Sequence, residues 1–300
     1  MSSADPSPAG GGRPGPVADT CHVLLTRFNL PTQGREGAIR ARDGWLQKRV
    51  ELFERYCAPS VARQSRRPAW IIYFDPESPT WLWERLQPLV DAGLFVPVSR
   101  ETVSTADILS DIAQHVSATP GTSLTTTNLD NDDALAVDFC ARVCAVSTLH
   151  PRAVIYVTRG LIDSSSGLFL RHDRRNAFCS VREAWEAPVT SWSEYHNEFP
   201  RTMPAIELGG GPGWLQVVHD DNVSNRTRGR LTSPERYRQL FGDLLNDADV
   251  PARRRLIADA LLLRPTREVR DGARALARTV GLRMLGKERY QDLKLRLTHS

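Results

Sequence analysis

An α/β fold with a doubly wound, mostly parallel sheet is the architecture this sequence predicts. Short apolar runs alternate with amphipathic segments of helical period. The runs end in polar residues, as strands do when they deliver loops from a buried sheet. With 300 residues and 41% hydrophobic content, the chain can build one large domain of this kind with a smaller appendage.

Residues 1–20 are rich in Pro, Gly, Ser and Ala and lack the basic start and apolar run of a signal peptide, so a disordered tail is expected there. Residues 22–28 form the first buried strand. Leu46, Val50, Phe53 and Cys57 then recur at helical spacing, with Pro59 closing the segment. A strand at 69–74, a helix at 80–90, a short strand at 94–98 and a helix at 106–116 follow. The Thr-rich run 123–129 is the next strand, and it leads directly into Asp130, Asn131, Asp132 and Asp133. Helix-forming character covers 134–146, a strand 153–157 and a turn 163–167. Residues 171–213 mix aromatics and charges and end in Gly209, Gly210, Gly211, Pro212 and Gly213, which predicts irregular structure with a mobile, lid-like loop. A last strand is expected at 214–218, ending at His219, and helices from 233 onward.

Five cysteines, Cys21, Cys57, Cys140, Cys144 and Cys179, are odd in number and show no Cys-x-x-Cys spacing, which argues against a disulfide framework or a zinc site. Buried thiols in a reducing compartment, the cytoplasm, are expected. No apolar stretch reaches the roughly 18 to 20 residues of a membrane span, so membrane contact would be peripheral, at the inner surface. Residues 251–300 carry 13 Lys/Arg against 5 Asp/Glu, a net +8, and leave −4 for the rest of a chain whose formal charge is +4. Val269, Ala273, Leu276, Val280 and Met284 form a helical stripe there, with Arg267, Arg270, Arg274 and Arg278 on other faces. That stripe either packs on the main domain or helps the arginines meet an anionic membrane surface or acidic partner. Nucleic acid is excluded as a partner, because no recognised binding motif is present and the region carrying the chemistry is acidic.

Asp and Asn favour turns and helix N-caps, so part of the aspartate turn is open to a purely structural reading, with Asp133 capping the next helix. Yet three carboxylates within four residues repel one another unless a cation or donors compensate them. An oxygen-rich set of this kind suits Mg²⁺ or Mn²⁺, which keep coordination positions for water and phosphates. Leu135 and Ala141 stand where a calcium EF-hand needs its Gly and its bidentate Glu.

The stretch Thr125-Thr126-Thr127-Asn128-Leu129-Asp130-Asn131-Asp132-Asp133-Ala134-Leu135 resembles the metal-binding motif of the rhamnosyltransferase family, glycosyltransferases of GT-A-type fold. The opening from His22 to Asn29 resembles that family's first strand, and Trp214 to His219, with Asn222, its closing motif. The resemblance covers residues 21–228. It implies a nucleotide-sugar-binding domain there, followed by a helical, basic extension over 229–300. It departs at Asn128, where the family commonly has a basic residue, so a phosphate contact is weakened or supplied from elsewhere.

The resemblance also implies the chemistry. A nucleoside-diphosphate sugar donates its sugar to a glycan or small-molecule acceptor, and a metal bridging the two phosphates stabilises the leaving group. Asp132 becomes the principal ligand and His219 completes the site. Asp130 serves the metal through water or holds donor hydroxyls. Thr26, Arg27, Asn29 and Asn128 bind the donor. Inverting transfer needs a carboxylate base near the acceptor hydroxyl. Glu183 is the first choice and Glu194 the second. Two other classes compete: a phosphohydrolase with an aspartate nucleophile, whose motif belongs after the first strand of its fold, and a catalytically silent nucleotide-sugar-binding module.

Overall fold

β1 (Thr20–Arg27) is the centre of the molecule because its Val23, Leu24 and Leu25 are fully buried, with apolar side chains packed on both faces of the sheet. The computed structural model describes residues 20–31, 44–117, 122–219, 228–267 and 269. After β1, α1 (Trp45–Leu52) runs through a π-helical turn, Phe53–Cys57, into α2 (Ala58–Ala62). Pro59 does not close the helix as its position predicts. It sits in the first turn of α2, after the wider π turn, where a missing N–H is tolerated. β2 (Ala69–Phe74), α3 (Thr80–Asp91), β3 (Val96–Ser99) and α4 (Thr105–His115) follow near their expected places. A capping box between Ser104 and Asp107 starts α4.

β4 (Ser123–Asn128) pairs parallel to β1. The aspartate turn then leads into β5 (Ala134–Leu135), and helix begins only at α5 (Phe139–Cys144), later than the sequence predicts. β6 (Arg152–Val157) is followed by a hairpin of β7 (Arg159–Ser164) and β8 (Gly167–His172), so the expected turn at 163–167 joins two strands. Two further strands, β9 (Ser180–Glu183) and β10 (Ala205–Leu208), lie within the segment expected to be irregular. β11 (Trp214–Val217) is not the last strand, since β12 (Arg230–Leu231) pairs with β8. Short 3-10 turns, α6 (Arg238–Phe241), α7 (Arg253–Ala258) and a π-helical turn, Asp259–Leu263, follow in the described chain.

The seven-stranded main sheet has the order β10-β6-β9-β4-β1-β2-β3. It is mostly parallel, and β9 runs antiparallel between β4 and β6. The carboxyl ends of β1, β4, β6 and β10 therefore share one edge. A second sheet, β12-β8-β7-β11-β5, takes its strands from the chain that leaves that edge. Aromatic packing fills one side of the main sheet: Phe28 stacks on Phe74 at 4.9 Å, and Phe53 meets Phe28 at 5.2 Å and Trp70 at 5.6 Å. Gly160 is required in β7, since a Cβ there would lie 2.0 Å from the Trp214 ring. That ring stacks on Phe178 at 4.9 Å and donates Nε1–H to Val157 O.

The glycine stretch is not the free loop its composition predicts. Arg142 donates to the carbonyls of Gly209 and Gly211, and Arg159 to that of Gly210. Gly213 is bonded on both sides, its N–H to Arg159 O and its carbonyl to Ala136 N–H. Residues 230–245 pack into the same body, with Phe241 and Leu245 fully buried and Arg63 donating to Phe241 O. Among the described residues no helix is long and apolar enough to cross a membrane. All five cysteines are free thiols. The expected tail at 1–19, Asn222, and the basic stripe except Arg267 and Val269 lie outside the described residues.

Threonines make the centre of the sheet polar. Thr20 and Thr125 pair through their hydroxyls at 2.8 Å, His22 Nε2 lies 2.7 Å from Thr127 Oγ1, and Thr127 in turn meets Ser180 Oγ at 2.6 Å. Burial, with the charges of Arg66 and Arg182, lowers the His22 pKa to about 3. The unfolded chain takes up a proton below about pH 6.5 and the folded one does not, so stability is present above that pH and is lost as pH falls toward 3. His22→Asn should remove a slope of about 1.4 kcal/mol per pH unit from acid-unfolding curves between these values. An unchanged slope would show that His22 titrates normally in the fold.

Candidate functional site

The aspartate turn is built against β1 from inside. Leu129 N–H donates to Leu25 O at 3.1 Å, Asn131 Nδ2 to Phe28 O at 2.8 Å and Thr26 Oγ1 to Leu129 O at 2.7 Å, while Asp133 N–H closes the turn on Asp130 O. The three carboxylates leave it in different directions and acquire different environments. Asp133 is buried and accepts Val217 N–H at 2.9 Å, tying the turn to β11. It does not cap a helix, because β5 follows it. Two residues beyond Val217, His219 Nε2 donates to Asp132 Oδ2 at 2.9 Å, with both side chains about nine-tenths buried. The Asp133 bond is thus what brings the end of β11 to Asp132.

Arg49, from α1, forms an ion pair with the same Asp132 oxygen and donates to Asn131 Oδ1 at 3.2 Å. Burial pushes the Asp132 carboxyl up, but the His219 hydrogen bond and the Arg49 charge outweigh it and leave the pKa below its usual value. Burial and the neighbouring Asp132 and Asp130 charges push Asp133 well up. Asp130 remains accessible to solvent yet is crowded by protein. Desolvation first, then Asp132, raises its pKa to about 6, against the pull of Arg49, Asn128 and Arg27.

Beside the turn opens a cleft of about 520 Å³ whose walls include Arg27, Asn128, Asp130, Trp192, Glu194 and Tyr195. The Arg27 guanidinium lies 4.3 Å over the Trp192 ring. Trp192 Nε1–H donates to Asn128 Oδ1, and Asn128 Nδ2 to Ala177 O. Tyr195 is 80% exposed, presenting an aromatic face at the mouth.

The structure therefore brings Asp130, Asp132 and His219 to one edge of the sheet with Arg27 and Asn128 nearby. Three expected residues are placed otherwise. Thr26 is fully buried, and its hydroxyl bonds both Leu129 O and Trp70 Nε1–H, which makes it a brace between strands rather than a donor contact. Asn29 spends its amide on Ser78 Oγ and Asp75 N–H, holding the loop after β2. Glu183 is unsuitable as a base. It pairs with Leu124 at the start of β4, three residues from Thr127's partner Ser180 and so at the opposite edge of the sheet. Its carboxylate is buried and accepts from Arg152 and from the backbone of Val189 and Thr190. Glu194, the second choice, lines the cleft. Arg49 and Trp192 were not foreseen: Arg49 reads in sequence as one of several charges on a solvated helix face, and nothing local marks Trp192.

Residues 21–231 match the family described as "Putative rhamnosyl transferase". A search of the curated proteins found no match. Among solved structures, the chain is similar to S. aureus TarS 1-349 (12% identity, TM-score 0.41, 89% of this chain and 75% of that one). It is also similar to the inositol-1-phosphate CTP transferase from T. maritima (11% identity, TM-score 0.39, 77% and 99%). Against a longer S. aureus TarS structure it matches with 10% identity and a TM-score of 0.37 over 67% of this chain, and spans 37% of that chain's length.

The raised Asp130 pKa has a measurable cost. Stability linked to this carboxyl is fully present below about pH 3.8 and is lost as pH rises through about 6. In chelator, Asp130→Asn should melt a few degrees above the wild type at pH 8 and level with it near pH 4. Equal melting at both values would mean that Asp130 ionises without penalty.

Proposed function

Because the chain belongs to the family described as "Putative rhamnosyl transferase", we propose that this glycosyltransferase moves a sugar, rhamnosyl or a related one, from a nucleoside-diphosphate donor to a hydroxyl of a glycan or small-molecule acceptor. The observation that carries the reading is the meeting of Asp132 and His219, far apart in sequence, at 2.9 Å beside a polar cleft at the carboxyl edge of the sheet. An ordinary turn has no need of an imidazole brought from another sheet to one of its carboxylates.

A carboxylate oxygen and an imidazole nitrogen, once the Nε2 proton has moved to Nδ1, are a donor set that fits Mn²⁺ better than Mg²⁺, with the other positions left to water and phosphate. Asp132 and His219 would hold the ion, with Asp130 reaching it through water. When bound, the ion would supply Lewis-acid stabilisation of the departing diphosphate. Arg27, stacked on Trp192, adds positive charge at the cleft wall for donor phosphates, and Asp130 and Asn128 offer acceptors and donors for ribose or sugar hydroxyls. For transfer with inversion, Glu194 takes the proton of the acceptor hydroxyl as its oxygen attacks the anomeric carbon. The exposed Tyr195 ring beside it provides an apolar face for an acceptor sugar.

Asp132→Asn should lower transfer by about a hundredfold or more with the fold intact, and Glu194→Gln should lower kcat and abolish the acidic limb of its pH profile. Full activity in folded Asp132→Asn would overturn the reading. Phosphate release without acceptor dependence would favour a phosphohydrolase, and donor binding without turnover a silent module.

The described C-terminal segment supports peripheral attachment to an anionic membrane surface, the second part of the proposal. Ile257, Leu261, Leu262 and Leu263 are each at least half exposed, among the exposed Arg253, Arg254 and Arg264. Replacing Arg253 and Arg254 with glutamate should weaken binding to anionic vesicles by about tenfold or more and flatten its salt dependence. Unaltered vesicle binding would move the contact elsewhere.

A further inference from the structure

Oδ2 of Asp132 accepts from two groups at once, His219 Nε2 and the Arg49 guanidinium. Arg49 is 13% exposed in its side chain, also donates to Asn131 and lies 5.2 Å over the Trp45 ring. Its neighbour Val50 is fully buried in the aromatic core, so the helix is fixed while the guanidinium hangs from a flexible stem. A divalent ion held by Asp132 and His219 would compete with Arg49 for that carboxylate, because two cations on one carboxylate repel each other and each weakens the other's hold. A diphosphate bound to that ion would offer the guanidinium oxygens that match its planar fork better than a lone carboxylate oxygen does.

We propose that Arg49 is a diphosphate-binding residue of the donor site: without ligand it neutralises Asp132, and it exchanges that carboxylate for phosphate oxygens when metal and donor enter together. The inference rests on the reading of Asp132 and His219 as the metal end of the site. Its consequence is synergy. Metal alone must displace Arg49 with nothing to receive the freed charge, whereas metal with a nucleoside diphosphate supplies the receiving oxygens. The same residue keeps the acidic turn compensated in the empty protein, so folding does not wait for metal.

The test uses the whole protein and measures binding, independent of activity. Mn²⁺ alone is titrated by calorimetry or electron paramagnetic resonance, then UDP, GDP, dTDP and CDP with and without saturating Mn²⁺. In Arg49→Met, Mn²⁺ alone should bind about tenfold tighter and the preferred diphosphate with Mn²⁺ about tenfold weaker. A residue that only supports the fold would not move the two constants in opposite directions. Arg49→Lys keeps the charge without the fork, and should leave Mn²⁺ affinity near wild type while weakening the diphosphate; it also serves where Arg49→Met does not fold. Wild-type values for both ligands in either folded variant, or a loss of both in parallel, overturn the proposal. Asp132→Asn separates the two failures. If it loses both ligands while the Arg49 variants behave as wild type, only the role of Arg49 is wrong; if it binds both normally, the metal reading falls and Arg49 with it.

Discussion

Three acidic side chains leave one four-residue turn at the end of β4, and much of the surrounding architecture serves to make that tolerable. Each is compensated by a different part of the chain: Asp133 by the backbone of β11, Asp132 by Arg49 from α1 and by His219, Asp130 by Arg27, Asn128 and solvent. The division is physical rather than decorative. A carboxylate buried against backbone N–H is a brace, one paired with cations is neutralised, and one left crowded yet accessible is raised in pKa and open to solvent. The turn therefore fastens the second sheet to the first.

The strands were legible in sequence where burial on both faces forces continuous apolar runs, as in β1, β2 and β6. They were illegible where pairing depends on distant partners. β9 and β10 lie in a stretch rich in charge and aromatics, and β5 is two residues whose strand character comes from β11. The glycine stretch misled for a related reason: composition reports backbone freedom, but Arg142 and Arg159, far off in sequence, hold its carbonyls.

The site divides in the same way. Asp130 and Asp132 stand out because they follow a strand at the edge where α/β folds bind ligands, and His219 because the stretch from Trp214 resembles the family's closing motif. Thr26 and Asn29 end a strand at that edge too, but side-chain direction and hydrogen bonding turned them inward, which position along the chain does not reveal. Glu183 lies away from that edge because β9 runs antiparallel to β4, a direction its local sequence does not encode. Arg49 escaped notice because a helix residue facing a turn 82 positions away leaves no local signature.

Polar groups are also placed inside the main sheet, where apolar ones would pack with less risk. The threonine and histidine ladder across β1, β4 and β9 is satisfied at each hydroxyl by another strand, so a slip of register would strand several buried polar atoms at once. The apolar core would resist such a slip only weakly, since both faces of these strands are buried and a shifted apolar side chain would still find apolar neighbours. A fixed register matters more here than in an ordinary core. A shift by one residue between β1 and β4 would move Leu25 O from Leu129 and Phe28 O from Asn131, and with them the height at which the aspartate turn meets His219. The buried ladder thus sets, from the middle of the sheet, the geometry that the acidic turn uses at its edge.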